Sequence, residues 1–228
     1  MILTQTYLEK LGSDQILNLA EFIVTENFNH HSNQILPKDY RKDVRSIYDE
    51  EVTYYNNSEI YVTKDCIGSI LGAIRVLRWN YVDTLPLQKI FRINPLLCIN
   101  QTNINNIFHI GRFAIKKGVR DINLFKQLMV CAIAPVCQHK DNIVFAECDG
   151  KLLRILSLLG IKATIIGKSI DYLGSETIPI VMAYDGLIDF YNKNKSLASV
   201  RKSTPQVESS RLPKSVVFNT PAYNYSLV

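Results

Sequence analysis

Between residues 13 and 27 apolar side chains recur at helical spacing. Ile16, Leu17, Leu19, Ala20, Ile23 and Val24 follow Ser13 and Asp14, which serve as start signals. The period fades from Asn27 to Tyr48, a polar stretch that predicts a loop with a short helix. Two β-rich runs come next, Glu59 to Thr63 and Gly68 to Trp79, with Asp65-Cys66-Ile67-Gly68 as the hairpin turn between them. Residues 80–103 read as irregular. A strand is expected from Asn106 to Lys116, a helix from Ile122 to about His139, and a compact buried strand at Ile143-Val144-Phe145-Ala146. A short helix from Gly150 to Leu159 ends at Gly160, a residue suited to a helix C-terminus. Strands at Thr164-Ile165-Ile166 and from Ile178 to Ala183 close the series. Pro179, which has no N–H, is expected at a strand start or edge. The order predicts a mixed α/β layer around one core. It assigns residues 1–191 to that domain and 192–228 to a polar tail or docking arm.

Composition narrows the classes. The chain of 228 residues has an ordinary apolar content of 47%, enough for a sizeable core. Its net charge of +5 is too modest for extended nucleic-acid binding, and it suits a phosphate-bearing or acidic partner better. The five cysteines form no CxxC pair, which points to reduced thiols and a cytoplasmic location. The N-terminus lacks the charged and apolar regions of a signal peptide, and no stretch is long and apolar enough to span a membrane. His30 and His31 read as a solvated pair; without a cluster of further ligands no metal site is expected.

Candidate chemistry concentrates in Phe108 to Asp121. The run reads as a strand that ends in a short basic loop and then opens a helix. Helix N-termini beside cations bind phosphate, so Lys116, Lys117, Gly118, Val119, Arg120, Asp121 and Ile122 could receive the arm of phosphopantetheine or coenzyme A. An ordinary strand-to-helix turn with solvated charges is the other reading of the same residues.

The element order and several motifs resemble the GNAT acyltransferase superfamily between about residues 45 and 187. Within it the chain is similar to the acyl-homoserine lactone synthases and the long-chain N-acyl amino acid synthases. Leu71-Gly72-Ala73-Ile74-Arg75-Val76-Leu77 resembles their G-x-x-R-L strand. Pro86-Leu87-Gln88-Lys89-Ile90-Phe91 resembles the proline-to-phenylalanine segment after it, and His109-Ile110-Gly111-Arg112-Phe113 a strand they usually write Glu-x-x-Arg-Phe. Tyr48-Asp49-Glu50-Glu51 lies where they carry an acidic cluster, and the segment from Tyr172 to Ile180 resembles their C-terminal strand pair. The chain departs from the pattern at three places. Arg120 stands where the loop's second glycine is usual, Leu156 where many acetyltransferases place a phenolic acid, and His109 where the synthases carry glutamate.

The resemblance implies a splayed, mixed, mostly antiparallel sheet flanked by helices, and an N-acyltransferase that uses acyl-CoA or an acyl carrier protein to acylate a small amine such as an amino acid. It also implies site residues. His109 would be the general base, since an imidazole titrates near pH 6.5. Arg75 and Arg112 would pair with Asp49, Glu50 or Glu51, or one of them would grip a substrate carboxylate. A backbone amide in the strand Phe113-Ala114-Ile115 would meet the oxyanion. Trp79, Phe91, Phe113 and Phe145 would line an acyl tunnel or simply form core. Lys116, Lys117, Arg120, Lys126, Lys151 and Arg154 would steer an acidic carrier protein. A catalytically silent acyl-ligand or carrier-protein sensor is the competing reading.

Overall fold

A computed structural model describes residues 6–31, 37–99, 103–172 and 175–198. One sheet runs through the molecule in the order β1 (Tyr7–Lys10), β2 (Ser58–Lys64), β3 (Ile70–Arg78), β4 (Ile107–Ile115), β5 (Ile143–Cys148), β8 (Ser175–Ala183) and β6 (Thr164–Ile165). β7 (Ile170–Tyr172) also pairs with β8. Every pairing is antiparallel except β4 with β5.

Alternation along the strands divides the core between the two faces. Ile74, Val76, Phe108, Ile110, Val144 and Ala146 pack under α4 (Ile122–Ile133) and α6 (Tyr184–Asn194). Their neighbours point the other way. Leu77, Ile107, Ile143 and Phe145 join Tyr54 and Trp79 beneath α3 (Pro86–Phe91), whose Leu87 packs into the same cluster. On that same face α1 (Ile16–His31) covers Ile60, Val62 and Ala73, and α2 (Tyr40–Tyr54) packs on α1 through Val44 and Ile47.

The predicted strands and the turn at Gly68 match the structure, while several helical expectations are corrected. α1 continues to His31, and the short helix expected before Tyr48 is the longer α2, which begins at Tyr40 and runs past it to Tyr54. Residues 80–103, expected to be irregular, contain α3. The helix expected to reach His139 ends at Ile133, because Pro135 cannot continue it and a 3-10 turn follows at Val136–Gln138. β1 and α6 are additional elements, β7 is the first strand of the expected pair and begins at Ile170, and α6 runs to Asn194, across the expected boundary at 191. Pro179 lies inside β8, not at its start. It sits where pairing along one edge passes from β6 to β7, so its missing N–H falls at a break in the ladder. The expected tail beyond residue 198 lies outside the described residues.

Two features of β4 position the site. Its parallel pairing with β5 stops at Ile110 opposite Ala146, after which the strands part. In the same region the register with β3 shifts. Arg75 faces Gly111 and Ala73 faces Ala114, so Arg112 and Phe113 together oppose Ile74. This is a β-bulge, and Arg112 takes the left-handed conformation there with φ 56°. A non-glycine residue held in that region is strained, and surrounding contacts must hold it.

Candidate functional site

The parting of β4 and β5 opens a cleft of about 360 Å³. Its throat is walled by Arg75, His109, Gly111, Arg112 and Glu147. Its flanks are Phe113, Ala114 and Ile115 of β4, residues 147–149 and the first turns of α5 (Gly150–Leu158), and Tyr172 of β7.

Alternation sends Arg75, His109 and Glu147 to the face covered by α1, α2 and α3, where α2 supplies their partners. Arg75 is almost wholly buried. Its Nη1 donates to Glu51 Oε1 at 2.6 Å, its Nη2 lies 3.2 Å from His109 Nδ1, and its guanidinium sits 5.3 Å from the centre of the Tyr54 ring. Arg112 donates from Nε to Glu51 Oε1 at 2.7 Å and from Nη2 to Glu50 Oε1 at 2.6 Å. One oxygen of Glu51 thus takes both guanidiniums, while Oε2 has no hydrogen-bond partner among the described residues. Burial opposes the charge on Glu51, but Arg75 and Arg112 outweigh it and hold the carboxyl below its ordinary range. Burial likewise works against the charge on Arg112, and the carboxylates of Glu51 and Glu50 more than offset it. Gly111 stands opposite Arg75 in the ladder. A Cβ there would come within 3.1 Å of Arg75 Nη2 and 3.2 Å of His109 Cε1, so glycine leaves room for the pair.

His109 has no exposed surface. Its Nε2 lies 2.9 Å from each carboxylate oxygen of Glu147, a residue the sequence reading did not include. Tyr172 was expected only as part of a strand pair, yet its phenol lines the cleft beside Arg112. Burial raises its pKa, partly offset by Arg112. A phenol therefore reaches the cleft from β7, whereas Leu156 is buried in the α4 core.

Not every expected residue arrives. Asp49 is on the outer side of α2, about half exposed, where Arg45 Nε donates to it at 3.0 Å, so it takes no part in the cluster. Trp79 and Phe145 pack in the core under α3, and Phe91 of α3 itself packs against them, not along a tunnel. Only Phe113 of the four aromatics lines the cleft, edge-on to Phe125 at 5.0 Å.

The loop between β4 and α4 keeps its basic character, with Lys116, Lys117 and Arg120 exposed. Val119 N–H donates to Lys116 C=O at 3.1 Å, and Gly118 provides the positive φ of 92° that this turn requires. Its amides are not all free. Lys117 N–H donates at 2.6 Å to Oε2 of Glu26, a buried carboxylate from α1. Lys116 N–H donates to Leu71 C=O, and Asp121 caps α4 by accepting from Asn123 N–H at 2.8 Å. An acid of the chain's own thus already holds one anion-binding group, and another acid caps the helix. His30 is exposed as expected, and it also lines the cleft and donates from Nε2 to Ile115 C=O at 2.9 Å. Among the described residues no group of three or more His, Cys, Asp or Glu side chains is placed to hold a metal ion, and no helix is long and apolar enough to cross a membrane.

No protein-family model matches the sequence, and no curated protein matches it. Solved structures do match across most of the chain. The N-acyl amino acid synthase FeeM from uncultured soil microbes superposes with a TM-score of 0.54 at 13% identity, over 85% of this chain and 98% of that one. The AHL synthase LasI gives 0.53 at 12% identity over 83% and 96%. A GNAT-family acetyltransferase from Staphylococcus aureus Mu50 gives 0.52 at 15% identity over 79% and 99%. With the mixed sheet, the bulged β4 and the fork between β4 and β5, these likenesses establish that the chain has the GNAT fold.

Proposed function

We propose that the protein is an N-acyltransferase. It moves an acyl group from a thioester of phosphopantetheine, carried by an acyl carrier protein or by coenzyme A, to the amine of an amino acid or related small molecule. The observation that carries this reading is the throat of the fork. A carboxylate and a buried guanidinium–imidazole group meet there, at the end of a cleft with apolar walls from Phe113, Phe125 and Leu152. Amide synthesis needs a proton acceptor beside the amine, donors for the developing oxyanion, and a groove for the thioester arm. Glu147 or His109 serves the first need, backbone amides of Phe113 to Ile115 the second, and the gap between β4 and α5 the third. Arg75 and Arg112 hold α2 over the throat through Glu50 and Glu51. Lys116, Lys117, Arg120 and Lys151 give the groove's rim a positive field that favours a phosphate-bearing, acidic donor. The free thiols suit a reducing, cytoplasmic setting.

The occupied Lys117 amide favours a second reading, a catalytically silent protein that binds an acyl ligand or carrier protein. Thiol release from acyl-CoA and from acyl carrier protein, measured against a panel of amines with mass spectrometry of products, separates the two. Amine-dependent thiol release with an N-acyl product supports the transferase. Donor binding without turnover overturns it.

A further inference from the structure

We infer that Glu147 takes the proton from the acceptor amine, and that His109 is the residue that positions it. This rests on the acyltransferase reading and assigns that site's proton acceptor.

The hydrogen-bond roles follow from what each group can do. A guanidinium has five N–H donors and no acceptor, so in the 3.2 Å contact of Arg75 Nη2 with His109 Nδ1 the ring nitrogen accepts. The ring hydrogen is therefore on Nε2, which donates to Glu147 at 2.9 Å. Both nitrogens are committed and the ring is fully buried, so the imidazole has no lone pair to offer an amine. Glu147 differs on each count. A carboxylate has about four acceptor sites, and one ring hydrogen shared between two oxygens leaves the others open. Its side chain is 11% exposed and lines the cleft.

Charge points the same way. Glu50 and Glu51 are committed to Arg75 and Arg112. Glu147 is left as the surplus negative charge of the group, and it lines the cleft. An amine that arrives as an ammonium is attracted to it, and the largely buried setting of Glu147 strengthens the attraction. The ammonium gives one proton to Glu147, which later passes it to water. The freed nitrogen lone pair forms the C–N bond at the thioester carbon as the carbonyl π pair moves to oxygen. When that pair returns, the C–S bond breaks and sulfur keeps its electrons. The second proton shed by nitrogen ends on the thiolate.

Steady-state kinetics of wild type, Glu147→Gln, His109→Gln and His109→Leu test this, with melting temperatures recorded for each. Glu147→Gln should lower kcat by about 10²-fold or more while the donor KM stays within about twofold. His109→Gln should keep activity within about tenfold of wild type, because its amide oxygen can accept from Arg75 and its amide N–H can donate to Glu147. His109→Leu can do neither and should fall as far as Glu147→Gln. A Glu147→Gln enzyme within about threefold of wild type overturns the inference. A folded His109→Gln enzyme as inactive as Glu147→Gln overturns it too, because the ring itself would then be the base. If the leucine variant does not fold, the two glutamine variants still decide. A wild type that binds donor but acylates no amine overturns this inference together with the acyltransferase reading. That outcome is recognisable because the unmutated enzyme is silent.

Discussion

Upstream on β4, His109 and Arg112 join Arg75, Glu50, Glu51 and Glu147 in a group of largely buried charges, in which two guanidiniums pair with Glu50 and Glu51 and His109 holds Glu147. Just past the end of the same strand, Lys116 and Lys117 open an exposed basic loop, and the buried charge that meets it is Glu26, brought from α1 to the Lys117 amide. At the throat, desolvation makes each partner indispensable to the others, since a buried ion left alone costs several kcal/mol. At the loop, water screens the lysines and arginine, and each contributes little by itself. The same kinds of side chain therefore do different work: upstream they fix geometry, and downstream they set a field.

Arg75→Ala should show the largest effect. It leaves Glu51 buried beside a single guanidinium and frees His109 Nδ1, and it should cost about 3–5 kcal/mol of stability. Urea unfolding measures this, and a loss below about 1 kcal/mol would mean the throat is no more tightly coupled than a surface pair.

Acid should discriminate the two regions next. The folded pKa of Glu51 lies below its unfolded value, so its contribution is present above the ordinary carboxylate range and is lost as pH falls through the folded value. The stability advantage of wild type over Glu51→Gln should narrow in acid, as thermal melts between neutral pH and about pH 3 would record. A gap that does not change with pH would show that Glu51 is not held charged by Arg75 and Arg112.

Arg120→Glu reverses an exposed charge near the start of α4, where the effect of one charge is about 0.3–1 kcal/mol, and should raise the donor KM by about three- to tenfold. An unchanged donor KM would place the phosphate elsewhere. Glu26→Gln is the smallest and the sharpest change. The amide oxygen can still accept from Lys117 N–H, so the loop keeps its shape while losing a negative charge. Binding of coenzyme A, followed by calorimetry, should tighten by a few-fold, on the scale of a single screened charge. Weaker binding would mean that Glu26 builds the donor site instead of opposing it.

Much of the sheet was legible because its signals are local. The alternation of β2 and β3, the turn at Gly68 and the apolar run of β5 each specify an element within a few residues. The length of α2 was missed because its apolar residues are few; Val44, Ile47 and Tyr54 face α1 and the core while charged residues cover most of the rest. In the candidate site, Arg75, Arg112 and His109 were legible as unusual polar residues within apolar strands, and Glu50 and Glu51 as their possible partners. Asp49 read as equivalent to its two neighbours, yet helical geometry turns it outward to Arg45. Glu147 gave one available signal, a carboxylate ending a buried strand, and Glu26 gave none beyond a place on a helix.

The sequence by itself determined most of the strands, the basic loop after β4 and the presence of two arginines and a histidine that must find partners, because periodicity and the cost of burying polar groups act on short segments. The tertiary structure alone decided which carboxylates meet them. The fork between β4 and β5 brings Glu147 to His109 across 38 residues, and the packing of α1 brings Glu26 to Lys117 across 91. Such pairings depend on strand register and helix rotation, and both are set by the packing of the whole core.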